Sequence, residues 1–122
     1  MTITRHLLAT VNNHTLRVTL SWDSGFPFAV RMDMHPRGET VSWEFAWDLL
    51  TIGVRRPAGV GDILIAPADE DLTRITLWPG RVGVVDLLLP TRELAAFLAD
   101  TWMAVPPALP DFIPAEFFEA KP

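Results

Sequence analysis

The sequence contains no cysteine, which excludes a disulfide framework, a thiolate metal site and a cysteine nucleophile. Serine is scarce, and none of Ser21, Ser24 and Ser42 lies in the Gly-x-Ser-x-Gly elbow of a serine hydrolase. Positive charge is short as well. Ten Lys and Arg face fifteen Asp and Glu, a net charge of -5, which argues against non-specific binding of nucleic acid or anionic membrane, where basic side chains must neutralise phosphate. No apolar run approaches the roughly 20 residues of a membrane helix. The opening MTITRHLLATVNNH follows Arg5 with only a broken apolar run, too short for a secretory signal. The expectation is a soluble, cytoplasmic protein. What is present, 122 residues with 49% hydrophobic content, suffices for one domain around a single core.

Period-two alternation dominates the first half. Leu16, Val18, Leu20 and Trp22 alternate with Thr15, Arg17, Thr19 and Ser21. Ile3 to Val11 precedes this strand as a hairpin partner, through Asn12-Asn13, residues that tolerate positive φ. After Asp23-Ser24-Gly25, the residues Phe28, Val30, Met32 and Met34 oppose Arg31, Asp33 and His35, and beyond a turn at His35 to Gly38 the set Val41, Trp43 and Phe45 forms a fourth face. From Phe45 the period becomes helical, with Phe45, Leu49 and Ile52 on one face beside Ala46 and Leu50. Asp48 then lies near the positive end of a short helix, and Arg55-Arg56 follow its negative end, with Asp48 or Asp62 as candidate ion-pair partners. Gly53 is a candidate C-terminal cap, and Pro57 forbids a longer helix. Strands are expected at Asp62 to Ala66, Leu72 to Trp78 and Arg81 to Leu89, the last two around Pro79-Gly80. Thr91 is a candidate cap for a second helix, with Leu94, Phe97, Leu98 and Trp102 on one face, ended by Pro106-Pro107. The fold class is α+β, mainly antiparallel β, with about seven strands and two helices. Residues 1–107 form the domain, and 108–122 a tail that docks on the domain or on a neighbouring subunit.

The chemistry in this pattern is sparse. Gly59-x-Gly61 would suit a phosphate loop, but such a loop needs a strand before the glycines and a helix after them, and here the order is reversed. A tight helix-to-strand corner is the better reading, with both glycines at unusual φ. His6, His14 and His35 have no short ligand spacing. Asp69, Glu70 and Asp71 read as a solvated loop. No metal, cofactor or catalytic constellation is expected, so the protein is read as non-enzymatic. Among the tryptophans, Trp22 and Trp43 fit inward faces. Trp47 falls off the helical stripe and Trp78 abuts a turn, which makes them candidate protein-interface residues together with Arg55, Trp102, Phe117 and Phe118.

The stretch WEFAWDLLTIGVRRPAGVGD closely resembles the SsgA-like sporulation and cell-division proteins of filamentous actinobacteria. Their pattern W-x-F-A-x-D-L-L-x-x-G-x-x-R-P-x-G-x-G-D is filled by Trp43, Phe45, Ala46, Asp48, Leu49, Leu50, Gly53, Arg56, Pro57, Gly59, Gly61 and Asp62. The resemblance extends to Pro27-Phe28-Ala29-Val30, Pro67, Phe97-Leu98 and Ala104-Val105-Pro106-Pro107. Trp47 and Ile52 depart from the charged or polar residues usual at their positions, and the tail is less polar than the usual ending. The resemblance implies a whirly-like fold of two packed antiparallel sheets, a homotrimer, and a cytoplasmic adaptor at the division septum. That adaptor would control sporulation septation by recruiting or supporting the tubulin-like GTPase FtsZ, with other family members as partners. The fold analogy also raises an alternative, single-stranded nucleic-acid binding, which the acidic balance opposes.

Overall fold

The computed structural model describes residues 1–78 and 83–104. Strands β1 (Thr2–Val11), β2 (His14–Asp23), β3 (Phe26–Met34) and β4 (Val41–Ala46) form an antiparallel meander. Asn12 and Asn13 take φ of 49° and 67°, the left-handed pair that a two-residue hairpin turn needs to match strand twist. This turn sets Val11 opposite His14 and so fixes the register down to Thr2 opposite Asp23. A short 3-10 turn, Pro36–Gly38, separates β3 from β4. Helix α1 (Trp47–Gly53) leads to a second meander of β5 (Ala58–Val60), β6 (Ile63–Pro67), β7 (Leu72–Leu77) and β8 (Val85–Pro90), and helix α2 (Thr91–Ala104) follows.

The expectation of two packed sheets and seven strands is corrected. The strands form one eight-stranded sheet in the order β4-β3-β2-β1-β8-β7-β6-β5, and its two meanders join where Thr10 of β1 pairs with Leu88 of β8. The additional strand is β5, too short and glycine-bearing to show alternation. The final strand begins at Val85 rather than Arg81. The expected Pro79-Gly80 turn lies outside the described residues, as do Pro106-Pro107 and the tail.

The sheet order leaves β4 and β5 as its two edges, yet these are consecutive strands linked by α1. Helix α1 packs against β3 and β4 on one side and β5 and β6 on the other, so the sheet curls into a half-barrel whose gap the helix spans. Its buried face is Trp47, Leu49, Leu50 and Gly53. The stripe differs from the sequence expectation because Phe45 belongs to β4 and Ile52 is only half-buried. Gly53 is not a cap. It lies inside the helix, where a β-carbon would stand 2.5 Å from Ile65 Cβ and 3.1 Å from Ile65 O. The helix approaches β6 as closely as it does because that position has no side chain.

Helix α2 packs against β1 and β8 and buries Leu94, Phe97, Leu98 and Thr101. Thr101, rather than Trp102, completes its inward face. Thr91 does not act as a side-chain cap: its hydroxyl pairs with the Thr73 hydroxyl at 2.8 Å. Glu93 in the first turn is held by Arg5 Nε at 3.0 Å, a carboxylate where the helix dipole favours it. The core is continuous, with Leu20, Val30, Met32, Ile65, Ile75, Leu87, Leu89 and Phe97 among its fully enclosed members.

Two stability outcomes follow from this packing. Gly53→Ala is expected to lower unfolding free energy by about 1–3 kcal/mol, the usual range for overpacking, despite the better helix propensity of alanine. Gly61→Val is expected to cost about 1–2 kcal/mol through backbone strain alone, since Gly61 has φ of 58° and open space beside it. Urea unfolding of both variants checks this, and wild-type midpoints would contradict it.

Candidate functional site

The stretch Trp43 to Asp62 builds one structural unit: strand β4, helix α1, strand β5 and the turn into β6. Trp43 and Phe45 turn toward the core from β4. Ala46 is extended, with φ -64° and ψ 135°, at the entry to α1, and Leu49 and Leu50 carry the helix onto the core. Beyond the exposed Arg55, Arg56 and Pro57, Gly61 and Asp62 form a two-residue turn with positive φ at Gly61 only, the pattern of a type II′ hairpin. The Asp62 carbonyl accepts from Trp78 N at 3.0 Å, which fastens this turn to the end of β7. Gly59 corrects one expectation, since it is an extended residue paired with Leu64 and not a positive-φ position. A methyl group there would stand 3.1 Å from Leu64 Cδ1 and 3.2 Å from Ile63 O. The glycines belong to the joint between strands.

Among the described residues, the candidate interface residues differ in exposure. Trp47 is 5% exposed, and its indole donates to Thr101 Oγ1 at 2.9 Å, while Thr101 in turn donates to Leu98 O at 2.7 Å. It is a buried tie between the two helices, so its placement at a surface is corrected. Trp102 packs edge-on against it at 5.0 Å and remains 51% exposed. Trp78 is 37% exposed. Arg55 is exposed, and among the described residues neither it nor Arg56 pairs with Asp48, Asp62 or any other carboxylate. Phe117 and Phe118 lie outside the described residues.

The outer face of the first meander carries two hydrogen-bonded chains that sequence reasoning missed. His6 Nδ1 lies 3.1 Å from Thr19 Oγ1, which lies 3.1 Å from His35 Nε2, so one hydroxyl links imidazoles from β1 and the end of β3. Beside it Arg31 Nε donates to Asp33 Oδ1 at 2.9 Å and Ser42 Oγ donates to the same oxygen at 2.6 Å. The Ser42 hydroxyl foremost, then Arg31, holds the Asp33 carboxyl below its ordinary range. The Asn12-Asn13 turn was the available signal, because its register sets His6 opposite Thr19. Asp69, in the acidic run, accepts at one oxygen from Asp71 N at 2.7 Å and Leu72 N at 2.9 Å: a turn-forming carboxylate rather than half of a catalytic pair. Among the described residues no cluster of three His, Asp or Glu is placed to hold a metal ion, and no helix is long and apolar enough to cross a membrane.

The motif carboxylate Asp48 is under electrostatic load. It sits in the first turn of α1, where the dipole favours a negative charge, but burial pushes its carboxyl above the ordinary value. A raised folded-state value means that the folded chain binds this proton more tightly than the unfolded chain. Its contribution to stability is therefore fullest below the ordinary carboxylate range and declines as pH rises through the folded value. Asp48→Asn is expected to stabilise the protein at pH 7, with the gain vanishing in acid below the ordinary carboxylate range. Thermal melts at both pH values check the sign, and destabilisation at pH 7 would contradict it. Thr101→Val, which leaves the Trp47 indole N–H without its acceptor, is expected to cost about 1–3 kcal/mol in urea unfolding, and an unchanged midpoint would contradict that.

Comparison with known proteins supplies the context for this arrangement. The family model of the Streptomyces sporulation and cell division protein SsgA matches residues 16–109. A sporulation-specific cell division protein of Frankia casuarinae is 40% identical over 90 residues, covering 72% of this chain and 62% of that protein. The SsgB protein of Streptomyces coelicolor is 39% identical over 92 residues, covering 72% of this chain and 66% of that protein. The matches thus span less than two thirds of these relatives' own length. Among solved structures, one of SsgB, from work relating its mutations to longitudinal cell division during sporulation of S. coelicolor, superposes with a TM-score of 0.79 at 32% identity, covering 88% of this chain and 91% of that one. The crystal structure of an SsgA-like sporulation-specific cell division protein of Thermobifida fusca gives 0.81 at 28% identity, covering 93% and 89%. With its matched segment running from β2 through α2 and including the whole β4-α1-β5 unit, the chain belongs to the SsgA family of sporulation and cell division proteins.

Proposed function

We propose that this protein is a non-enzymatic adaptor of cell division that controls sporulation septation by recruiting or supporting the tubulin-like GTPase FtsZ. It acts in the cytoplasm at the septum, as a homotrimer, in concert with other family members. The observation that carries the reading is the match to sporulation-specific division proteins across most of the folded chain. Several motif residues, among them Trp43, Phe45, Leu49, Leu50 and Gly53, pack within the domain, which suits a protein that works by presenting a surface.

The net charge of -5 weighs against the nucleic-acid alternative. Trp22 and Trp47 are buried and Trp43 packs on the core, so they offer no bases a stacking platform. Arg5, Arg31 and Arg74 are paired with carboxylates. Cosedimentation of the purified protein with FtsZ polymers, with light scattering on the same sample, tests the adaptor reading. Saturable pelleting of a trimeric species is expected. No pelleting across a concentration series would overturn direct recruitment, and normal sporulation septa in cells lacking the protein would overturn the role in division.

A further inference from the structure

All three histidines, with Arg17 and Arg37, two arginines without an ion-pair partner among the described residues, line two grooves on opposite faces of the first meander. One groove, of about 590 Å³, is lined by His6, Leu8, Arg17, Thr19 and His35 and bounded by Pro90 and Glu93. The second, also of about 590 Å³, has an apolar floor that includes Leu16, Met34, Val41, Trp43 and Val85, with His14, His35 and Arg37 on its rim. His35 belongs to both. Among the described residues, Glu93 is the one carboxylate lining either groove, and Arg5 holds it. Asp33, next to His35, is occupied by Ser42 and Arg31. A chain of net charge -5 thus sets His14, His35 and Arg37 around the apolar second groove, with no carboxylate lining it among the described residues.

We propose that the occupant of this surface is the chain's own C-terminal segment, residues 105–122, bound within the same molecule. Its sequence, VPPALPDFIPAEFFEAKP, is complementary to the second groove: Phe112, Ile113, Phe117 and Phe118 supply apolar groups, and Asp111, Glu116 and Glu119 outnumber the single Lys121. Prolines 106, 107, 110 and 114 disfavour a helix and bias the segment toward the extended form that lies along a trough. The reach is sufficient. Trp102, near the end of α2, touches Trp47 at the start of α1, directly after the last residue of β4. The six residues of β4 lead from there back to Val41 at the second groove, a path of about 20 Å, and the segment spans up to about 60 Å when extended. Residues 110–122, which hold the aromatic and charged groups of the segment, lie beyond the family match to residues 16–109. The aromatic groups fill the trough and the carboxylates meet Arg37, His14 and His35 on its rim, a contact that weakens with salt. An acidic, aromatic partner segment would compete for the same surface. The inference stands independently of the adaptor reading.

The absence of native cysteine permits a direct test on the full chain. A nitroxide on Ala120→Cys should broaden the backbone amides of His14, Arg37 and Trp43 by more than half, unchanged on dilution. Arg37→Glu, and separately Phe117→Ala with Phe118→Ala, should abolish the broadening while leaving the melting temperature of the domain in place. Broadening centred on Trp102 and Met103, or none, would overturn the proposal. So would broadening of isotope-labelled chains by spin-labelled neighbours in a mixed sample, which would place the segment on another copy.

Discussion

The closure of the half-barrel by α1 is the constraint on which the structure depends. A curled eight-stranded sheet has two edges, and each presents unpaired backbone groups and the margin of an apolar interior. Here the edges are β4 and β5, and a single seven-residue helix covers the gap between them. So short a helix has no stability of its own. It persists because Trp47, Leu49 and Leu50 enter the core and Gly53 lets its backbone meet Ile65.

The same unit orders the rest of the molecule. The buried Trp47-Thr101 hydrogen bond ties α1 to α2, and α2 reaches β1 through the Arg5-Glu93 pair. The two meanders share one paired position, Thr10 with Leu88, and α2 packs across this junction on both β1 and β8. The outer face of the first meander, free of packing duties, holds polar chains instead. The packing residues of the family motif thus lie inside, and the polar chemistry of the first meander faces outward on its strands.

The first meander was legible from sequence because its strands alternate cleanly and Asn12-Asn13 announces the turn. The family was legible from the Trp43 to Asp62 pattern. Trp47 was misplaced because helical periodicity was counted from Phe45, a strand residue, which rotated the inferred stripe and turned the indole outward. Gly53 was misread because a cap and a close approach ask for the same residue type, and only the position of Ile65 distinguishes them. The two-sheet expectation came from fold resemblance, and local pattern contains no information about whether two meanders share an edge. Strand β5 was invisible because three residues at an edge have no period. The His6-Thr19-His35 chain was recoverable in principle, since the hairpin register aligns its first two members.

Native-state hydrogen exchange across increasing denaturant tests the closing role of α1 most directly, read at Val30 and Phe45 beside one edge, Leu50 in the helix, and Ile65 beside the other. If α1 clasps the two edges, the amides on both sides should merge with that of Leu50 into one opening transition. Loss of protection at Leu50 in a separate, lower-energy opening, with Phe45 and Ile65 still protected, would contradict the clasp and reduce α1 to a connection between two self-sufficient meanders.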